Sequence, residues 1–522
     1  MKKPILLLSI LILISCINVF GQANDTRRDY LSFYDDKNWP LNSGSSQAEH
    51  DSINAIIRAK IADRYDFGID GSAKAFDDVV EINPDFGMID YNSFQSNFVT
   101  GEEHKFVMHR IDSLGGDTLD DPLYLHYYDN TYSSIGGTIL GWDGEPGAAG
   151  PLGANATALK KSDARVFAYT TARGHCNYST AEAREHYLAY VMHVMKLPHY
   201  DQWRDTSVAN YNIGICWDNA TPLMYNVGSV SSGGHVLEHP THARIDSLGQ
   251  GKEDWWYDYN MKPFFQELMD SFAVSSTWMP NGNPNLINML NIVGSTLEGL
   301  AVDSIATHLF FEFGPSITKH RRYVFTKYAT FDSLCDDRNV SLCYSPSAYT
   351  GWTTNSSSEY TKHESMHGNL AWFYVSRSDS AMFFQQGTNS PSVDRWDSVT
   401  WVPSMNYDIG EPTEHYVSYQ SGTDGNGASY EIYKRNYDNG IALIRPCIGN
   451  SEKIDTTSAM SVDLGGTYYE LLPNGTTTGA ITSIFLRNAQ GRIVIPNPID
   501  SNQPIDSIPP AKIEDLRILP NN

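Results

Sequence analysis

The fold is most constrained by one pattern that recurs between about residues 85 and 405: a short apolar run ends in polar or aromatic residues, and a loop and usually a helical stretch follow. Strands that alternate with helices in this way predict an α/β fold with a parallel sheet. Eight runs predict strands, at residues 86–92, 123–130, 165–171, 212–219, 308–314, 340–346, 370–378 and 399–405. Eight such strands predict a (β/α)8 TIM barrel, whose active site lies at the C-terminal ends of the strands.

A different pattern begins after about residue 410, where short runs are separated by turn sequences such as Asp438-Asn439-Gly440. These runs predict hairpins and a small antiparallel β-sandwich. The predicted organisation is a signal peptide at residues 1–21, a lead-in or cap at 22–84, a catalytic barrel at 85–410, a β-sandwich at 411–498 and a linker-like tail at 499–522.

The amino terminus predicts export. Lys2 and Lys3 precede an apolar run that reaches small residues at Ser15 and Gly21, which is the layout of a cleaved signal peptide. Lipid attachment at Cys16 is the alternative, and cleavage is favoured because nothing after Cys16 resembles a tether. No later segment offers the run of about 18 apolar residues that a membrane helix needs. We therefore expect a secreted or periplasmic protein without a membrane span.

Charge and cysteine content exclude several classes of protein. The formal net charge of -24 argues against a nucleic-acid partner, because binding of phosphates needs clustered Lys and Arg. The six cysteines form no C-x-x-C pair, which argues against a zinc ribbon or a disulfide scaffold. Cys216 and Cys343 lie in apolar runs and are expected to be buried thiols, although a bridge between Cys335 and Cys343 is an alternative. We expect no cofactor.

Residues 363–367 spell H-E-x-x-H, the motif with which zinc proteases bind their metal. In those enzymes the helix continues past both histidines, whereas here Gly368 follows at once, where glycine usually ends a helix. The extended form with a third histidine fails at Leu370 and Phe373. We expect both histidines to be structural, no metal to be bound, and the chain to enter the seventh strand; a zinc protease is the less favoured alternative.

Two carboxylates are better candidates for chemistry. Asp218 closes the fourth predicted strand, and Glu312 lies near the end of the fifth. Acids are rare inside buried strands, but the C-terminal ends of barrel strands point into the active-site mouth. Hydrolysis of a glycosidic bond requires two carboxyl groups in one cleft. For each residue the alternative role is a helix cap or a partner for a nearby arginine.

Aromatic and polar residues cluster at the predicted strand ends, as a carbohydrate cleft requires. His235 belongs to a group of loop histidines, in which Pro240 disfavours helical presentation of a metal site. The basic run at residues 319–322 could hold a sulfate or carboxylate, or form a solvated helix face. The predicted substrate-binding residues are Tyr128, Asp129, Arg173, His175, Trp217, Asn219, Trp256, His235, Arg321, Trp352 and Arg377.

Three segments carry a family resemblance: YNIGICWDNATP at residues 211–222, IYKRNYDNGIALIRP at 432–446 and YYELLPNGTTTGAITSIFLRNAQGRIVIP at 468–496. They resemble the Y-D-G-I-F-x-D-N strand and the C-terminal sandwich of secreted bacterial barrel proteins of the glycoside hydrolase type. Asn212 stands where aspartate is usual. In the retaining α-amylase-like barrels, an aspartate at the end of strand four is the nucleophile and a glutamate at the end of strand five is the acid/base. The resemblance implies these roles for Asp218 and Glu312.

The sequence thus predicts a secreted glycoside hydrolase that cleaves an extracellular polysaccharide, with a preference for an α-linked and anionic or sulfated one. Glu312 would protonate the glycosidic oxygen and Asp218 would attack the anomeric carbon. The alternative is a non-catalytic carbohydrate-binding protein that keeps the cleft. Sugar identity, linkage, endo or exo action and stereochemical outcome stay open.

Overall fold

A computed structural model gives the fold of the chain in two compact units, Met1–Ile89 together with Phe311–Asn522, and Asp90–Phe310. No helix in the part of the chain that it describes is long and apolar enough to cross a membrane. The structure describes residues 29–32, 55, 58–63, 65, 67–69, 79, 81–83, 86–94, 96–98, 101–116, 123–125, 173–194, 213–218, 220, 256–274, 287–291, 305–314, 341–346, 362–377, 382–386, 402–446 and 456–499.

The described part of the chain contains α-helices, a π-helix and β-strands, which are numbered in chain order. The strands before residue 400 are β1 (Asp29–Ser32), β2 (Phe67–Ile69), β3 (Gly87–Ser93), β4 (Ser96–Phe98), β5 (Arg173–His175), β6 (Ile213–Asp218), β7 (Ile287–Asn291), β8 (His308–Gly314), β9 (Ser341–Pro346) and β10 (Met382–Gln386). The α-helices are α1 (Glu102–Ser113), α2 (Ala181–Val194), α3 (Lys262–Val274) and α4 (Lys362–Ser376), and a π-helix, Trp256–Met261, leads directly into α3. The final strands are β11 (Val417–Thr423), β12 (Ser429–Tyr437), β13 (Gly440–Arg445), β14 (Met460–Leu471), β15 (Thr477–Leu486) and β16 (Gln490–Ile495).

Parallel pairing joins five strands in the first unit. β1 pairs with both β10 and β2, β2 pairs with the first residues of β3, and β10 pairs with β9. The order is therefore β3-β2-β1-β10-β9, and every one of these pairs is parallel. Two of these strands, β1 and β2, lie in the segment that the sequence predicts to be a lead-in or cap.

In the second unit, β7 lies between β6 and β8, and both pairs are parallel. The register places Trp217 beside Leu290, and Leu290 beside Leu309. A separate antiparallel pair, β4 with β5, is extended by a bridge between Tyr124 and Cys176. Parallel strands whose residues are all buried need cover on both faces.

An aromatic cluster covers one face of β6 and β7. Its members are Phe94, Tyr178, Trp217, Trp256, Phe264 and Phe265. Phe264 and Phe265 lie on α3, and their ring centroids are 5.5 and 5.6 Å from that of Trp217. Each member is at most 3% exposed. This cluster fixes α3 and its preceding π-helix against the strands.

The carboxy-terminal strands form one six-stranded antiparallel sheet in the order β11-β12-β13-β16-β14-β15. Side chains from β12 to β16 share a core that includes Ile432, Leu443, Val462, Leu486 and Val494. The sequence predicts an antiparallel sandwich here. The antiparallel pairing is confirmed, and the described strands belong to a single sheet.

Helix α4 packs on the other face of this sheet. A Cβ added at Gly491 of β16 would lie 2.6 Å from the carbonyl oxygen of Gly368, so the two glycines allow the backbones to approach closely. Tyr437 donates its hydroxyl to the carbonyl of Tyr374, and Arg435 donates to the carbonyl of Arg377. Every residue of α4 from Met366 onward is buried.

The structure confirms four of the predicted strands, at residues 86–92, 212–219, 308–314 and 340–346, as β3, β6, β8 and β9. The strand predicted at 370–378 is wrong, because these residues belong to or follow α4, and the one at 399–405 is wrong because Pro403–Asn406 is a 3-10 helix. The strand predicted at 123–130 is replaced at its start by the isolated bridge of Tyr124. Residues 165–171 lie outside the described part.

Candidate active site

Asp218 and Glu312 lie on two parallel strands that β7 separates. Asp218 is the last residue of β6, and Glu312 is the fifth residue of β8. The sequence places them on consecutive strands, which is wrong: β7 was missed, so Glu312 lies two strands from Asp218. The side chains of both residues lie outside what the structure describes.

The two faces of these strands are distinguished by Trp217 and Asn288. Trp217 packs on α3, and its Nε1 donates to Asn288 Oδ1 at 2.9 Å. Asn288 lies beside Ile215 in the register, and Leu290 beside Trp217, so these residues share the face that α3 covers. Because successive residues alternate between faces, positions 218, 289 and 291 lie on the opposite face.

A polar network holds the helix-covered face together. Asn288 Nδ2 donates to the carbonyl of Ile305 at 2.6 Å, and the Asn288 backbone N–H donates to Thr307 Oγ1 at 2.8 Å. Thr307 Oγ1 also hydrogen-bonds His308 Nδ1 at 2.9 Å. The network ties the end of β6 to the segment that enters β8. The sequence did not identify Asn288, although the run INMLN ends in a polar residue as the predicted strands do.

Three predicted substrate-binding residues are buried in the protein interior. Trp217 and Trp256 belong to the aromatic cluster and are 3% and 0% exposed, and His175 on β5 is also fully buried. The backbone carbonyl of His175 accepts from the N–H of Leu125 at 2.8 Å. These positions fit packing and do not support contact with a sugar. Arg173 lies on β5, while Tyr128, Asp129, Asn219, His235, Arg321 and Trp352 lie outside the described residues.

Arg377 does not belong to a strand of the parallel sheet. It directly follows α4, is 1% exposed, and its guanidinium lies over the rings of Phe373 and Tyr437. Its Nη2 contacts Glu411 Oε2 at 3.3 Å. The predicted role rested on a strand at 370–378, and the observed helix places Arg377 between α4 and the carboxy-terminal sheet, in a structural position.

The H-E-x-x-H motif lies within α4. The helix continues past Gly368 for two more turns, so the prediction that it ends there is wrong. His367 is 1% exposed, and its Nδ1 hydrogen-bonds Ser404 Oγ at 2.9 Å. Burial, and then the positive charge of Arg492, lower the pKa of His367 to about 3, against the opposing effect of a backbone hydrogen bond at Leu471. His367 is therefore a neutral packing residue. Among the described residues, no three His, Cys, Asp or Glu side chains form a group that could hold a metal ion.

Cys216 on β6 is a buried cysteine, as its apolar surroundings in the sequence predict, and Cys176 is also buried. Cys343 lies on β9. The side chains of Cys176 and Cys216 therefore lie in the interior, where the reactivity of a thiol is low.

No family model and no curated protein matches the chain. Several solved structures are similar to it over most of its length. One is a variant of isomaltulose synthase from Erwinia rhapontici in complex with sucrose, with 9% sequence identity and a TM-score of 0.48. The match covers 90% of this chain and 98% of the synthase chain. Trehalose-6-phosphate hydrolase from Bacillus licheniformis has 8% identity and a TM-score of 0.47, with 91% and 99% covered. A β-L-arabinopyranosidase from Geobacillus stearothermophilus has 10% identity and a TM-score of 0.43, with 89% and 95% covered.

Proposed function

We propose that the protein is an exported glycoside hydrolase that uses Asp218 and Glu312 to cleave a polysaccharide. The observation that carries this proposal is the position of Asp218 at the C-terminal end of a buried parallel strand, with Glu312 near the same end of β8. In the register, position 218 is level with Asn291, and Asn291 is level with Phe310, so Glu312 is two residues further along. Positions 218, 310 and 312 share the face that lies opposite to α3.

A closed (β/α)8 barrel is part of the proposal. The first unit supplies five parallel strands and the second supplies three, which gives the eight of a TIM barrel. Counted along the chain, β6 would be the fourth strand of that barrel and β8 the sixth, and positions 218 and 312 would face its interior at the C-terminal ends of the strands.

The proposed mechanism divides the work between the two carboxyl groups. Glu312 in its acid form donates a proton to the glycosidic oxygen as the bond to the anomeric carbon breaks. Asp218 as a carboxylate attacks that carbon and forms a covalent glycosyl ester. Glu312, now ionised, removes a proton from water as the water oxygen attacks the anomeric carbon, which breaks the bond to the Asp218 oxygen and releases the sugar and the Asp218 carboxylate. All protons and bonds balance within this pair and water.

The test is the release of reducing ends by the mature protein from a panel of neutral, α-linked and sulfated polysaccharides. Asp218→Asn and Glu312→Gln should each lower kcat by about three orders of magnitude or more, because each removes a reacting group. Asp112→Asn is the control, since Asp112 is an exposed carboxylate near the end of α1. Normal turnover by either of the first two variants contradicts the assignment, and sugar binding without turnover by the wild type would indicate a carbohydrate-binding protein.

A further inference from the structure

Strand β7 contains two completely buried asparagines on opposite faces. Asn288 and Asn291 are both 0% exposed and lie three residues apart. An odd separation along a strand places them on different sides of the sheet. Burial of an amide is unfavourable unless the group is hydrogen-bonded, so each position requires an explanation of its own.

Asn288 is explained by structure. Its side chain accepts from Trp217 Nε1 and donates to the carbonyl of Ile305. It stabilises the contact between β6, β7 and the segment before β8.

Asn291 lies where the chemistry is proposed to occur. It is the last residue of β7, and it is level with Asp218, because Trp217 pairs with Leu290. On the same face, one layer earlier, lie Cys216, Met289 and His308. The first two are 0% exposed and His308 is 5% exposed. Asn291 therefore adds an amide at the end of a largely apolar layer, directly beside the proposed nucleophile.

Neighbouring parallel strands are about 4.8 Å apart, a spacing at which level side chains on one face can hydrogen-bond. An asparagine amide has two N–H donors, and an ionised carboxylate accepts hydrogen bonds that favour its charged form. A donor in this place would keep the nucleophile ionised and would limit its rotation.

We propose that Asn291 is a positioning residue for Asp218, donating a hydrogen bond from its Nδ2 to the Asp218 carboxylate. The inference rests on the proposed function and adds a third residue to the same site. Asn291 does not form or break a covalent bond; it acts through the carboxylate that does.

The experiment compares Asn291→Ala with Asn288→Ala, two identical substitutions on one strand and on opposite faces. In profiles of kcat/KM against pH, Asn291→Ala should raise the acidic limb by about one pH unit and lower kcat about tenfold or more, because the carboxylate loses a charge-assisted hydrogen bond. Asn291→Ser, which retains a donor, should restore part of the shift. Asn288→Ala should lower the Tm and leave the acidic limb in place. An unmoved acidic limb in Asn291→Ala overturns the proposal.

A second readout separates this proposal from the proposed function. If the wild type shows no turnover on the panel, the function fails, and the hydrogen bond is then judged from thermal unfolding of Asp218→Ala, Asn291→Ala and the double variant. The Tm changes of the single variants should sum to clearly more or less than that of the double variant. Additive changes overturn the hydrogen bond whether or not the protein is an enzyme.

Discussion

Two interfaces of the molecule bury polar side chains, and these side chains have different roles in the two interfaces. In the first, α4 packs on the carboxy-terminal sheet, and His367 and Arg377 bind Ser404 and Glu411. In the second, β7 packs between β6 and β8, and its asparagines divide between two faces. The first interface contains a recognisable catalytic motif and uses it for packing, while the second contains no motif and adjoins the proposed nucleophile.

The difference follows from what covers each residue. His367 lies under a sheet whose backbone approaches the helix at Gly368, so its ring has room only for local contacts. Asn291 ends a parallel strand, and the space beyond such an end is where α/β proteins bind ligands. The position of a polar residue relative to the end of an element therefore predicts its role better than its place in a short motif.

The largest expected effect tests whether Trp217 serves packing or sugar binding. Trp217→Ala should lower the free energy of unfolding by about 4 kcal/mol, because it removes a buried indole from the aromatic cluster and leaves a cavity. Tyr259→Ala is the control, since Tyr259 is 40% exposed. Chemical denaturation measures both. If Trp217→Ala has normal stability and binds oligosaccharides more weakly, Trp217 contacts the sugar, as the sequence predicts, and does not serve packing.

A second effect tests the close approach of α4 to the sheet. Gly491→Ala should lower the free energy of unfolding by about 3 kcal/mol, because the added Cβ would meet the Gly368 carbonyl oxygen at 2.6 Å. Gly479→Ala on β15 is the matched control, since its Cβ would meet no atom within 4 Å. Equal stability of the two variants would show that the helix and sheet do not pack backbone to backbone.

The sequence predicts strands β6 and β8 correctly from apolar runs that end in polar residues. It fails where burial removes the periodic signal. Helix α4 is buried on all sides from Met366 onward, so no apolar stripe at helical spacing distinguishes it, and its aromatic and β-branched residues favour a strand. Strands β1 and β2 span four and three residues, too short for a pattern to register.

The sequence also predicted only part of the candidate site: it identified Asp218 at the end of β6 and missed strand β7. The last position of β6 is visible in the sequence because an acid follows an apolar run. Strand β7 is not, because two of its five residues are asparagines, which are depleted in strands. Which face Trp217 occupies depends on Phe264 and Phe265, about 50 residues later, and only the folded chain brings these rings together.

The smallest expected effect is a pH dependence of stability that arises from His367, in the interface between α4 and the carboxy-terminal sheet. The pKa of His367 is lowered from 6.5 to about 3 in the folded protein, so the unfolded chain binds a proton that the folded one does not. The stabilisation from this residue is complete above about pH 6.5 and is lost as the pH falls toward 3. Between pH 6.5 and 5 the loss should reach about 2 kcal/mol, at about 1.4 kcal/mol for each pH unit. His367→Gln, which does not titrate, should show a correspondingly weaker dependence of unfolding free energy on pH in the same denaturant titrations. If the unfolding free energies of wild type and variant differ by a constant amount from pH 7 to 5, His367 is solvated or charged in the folded protein. A catalytic or metal-binding role for the H-E-x-x-H motif would then have to be considered again.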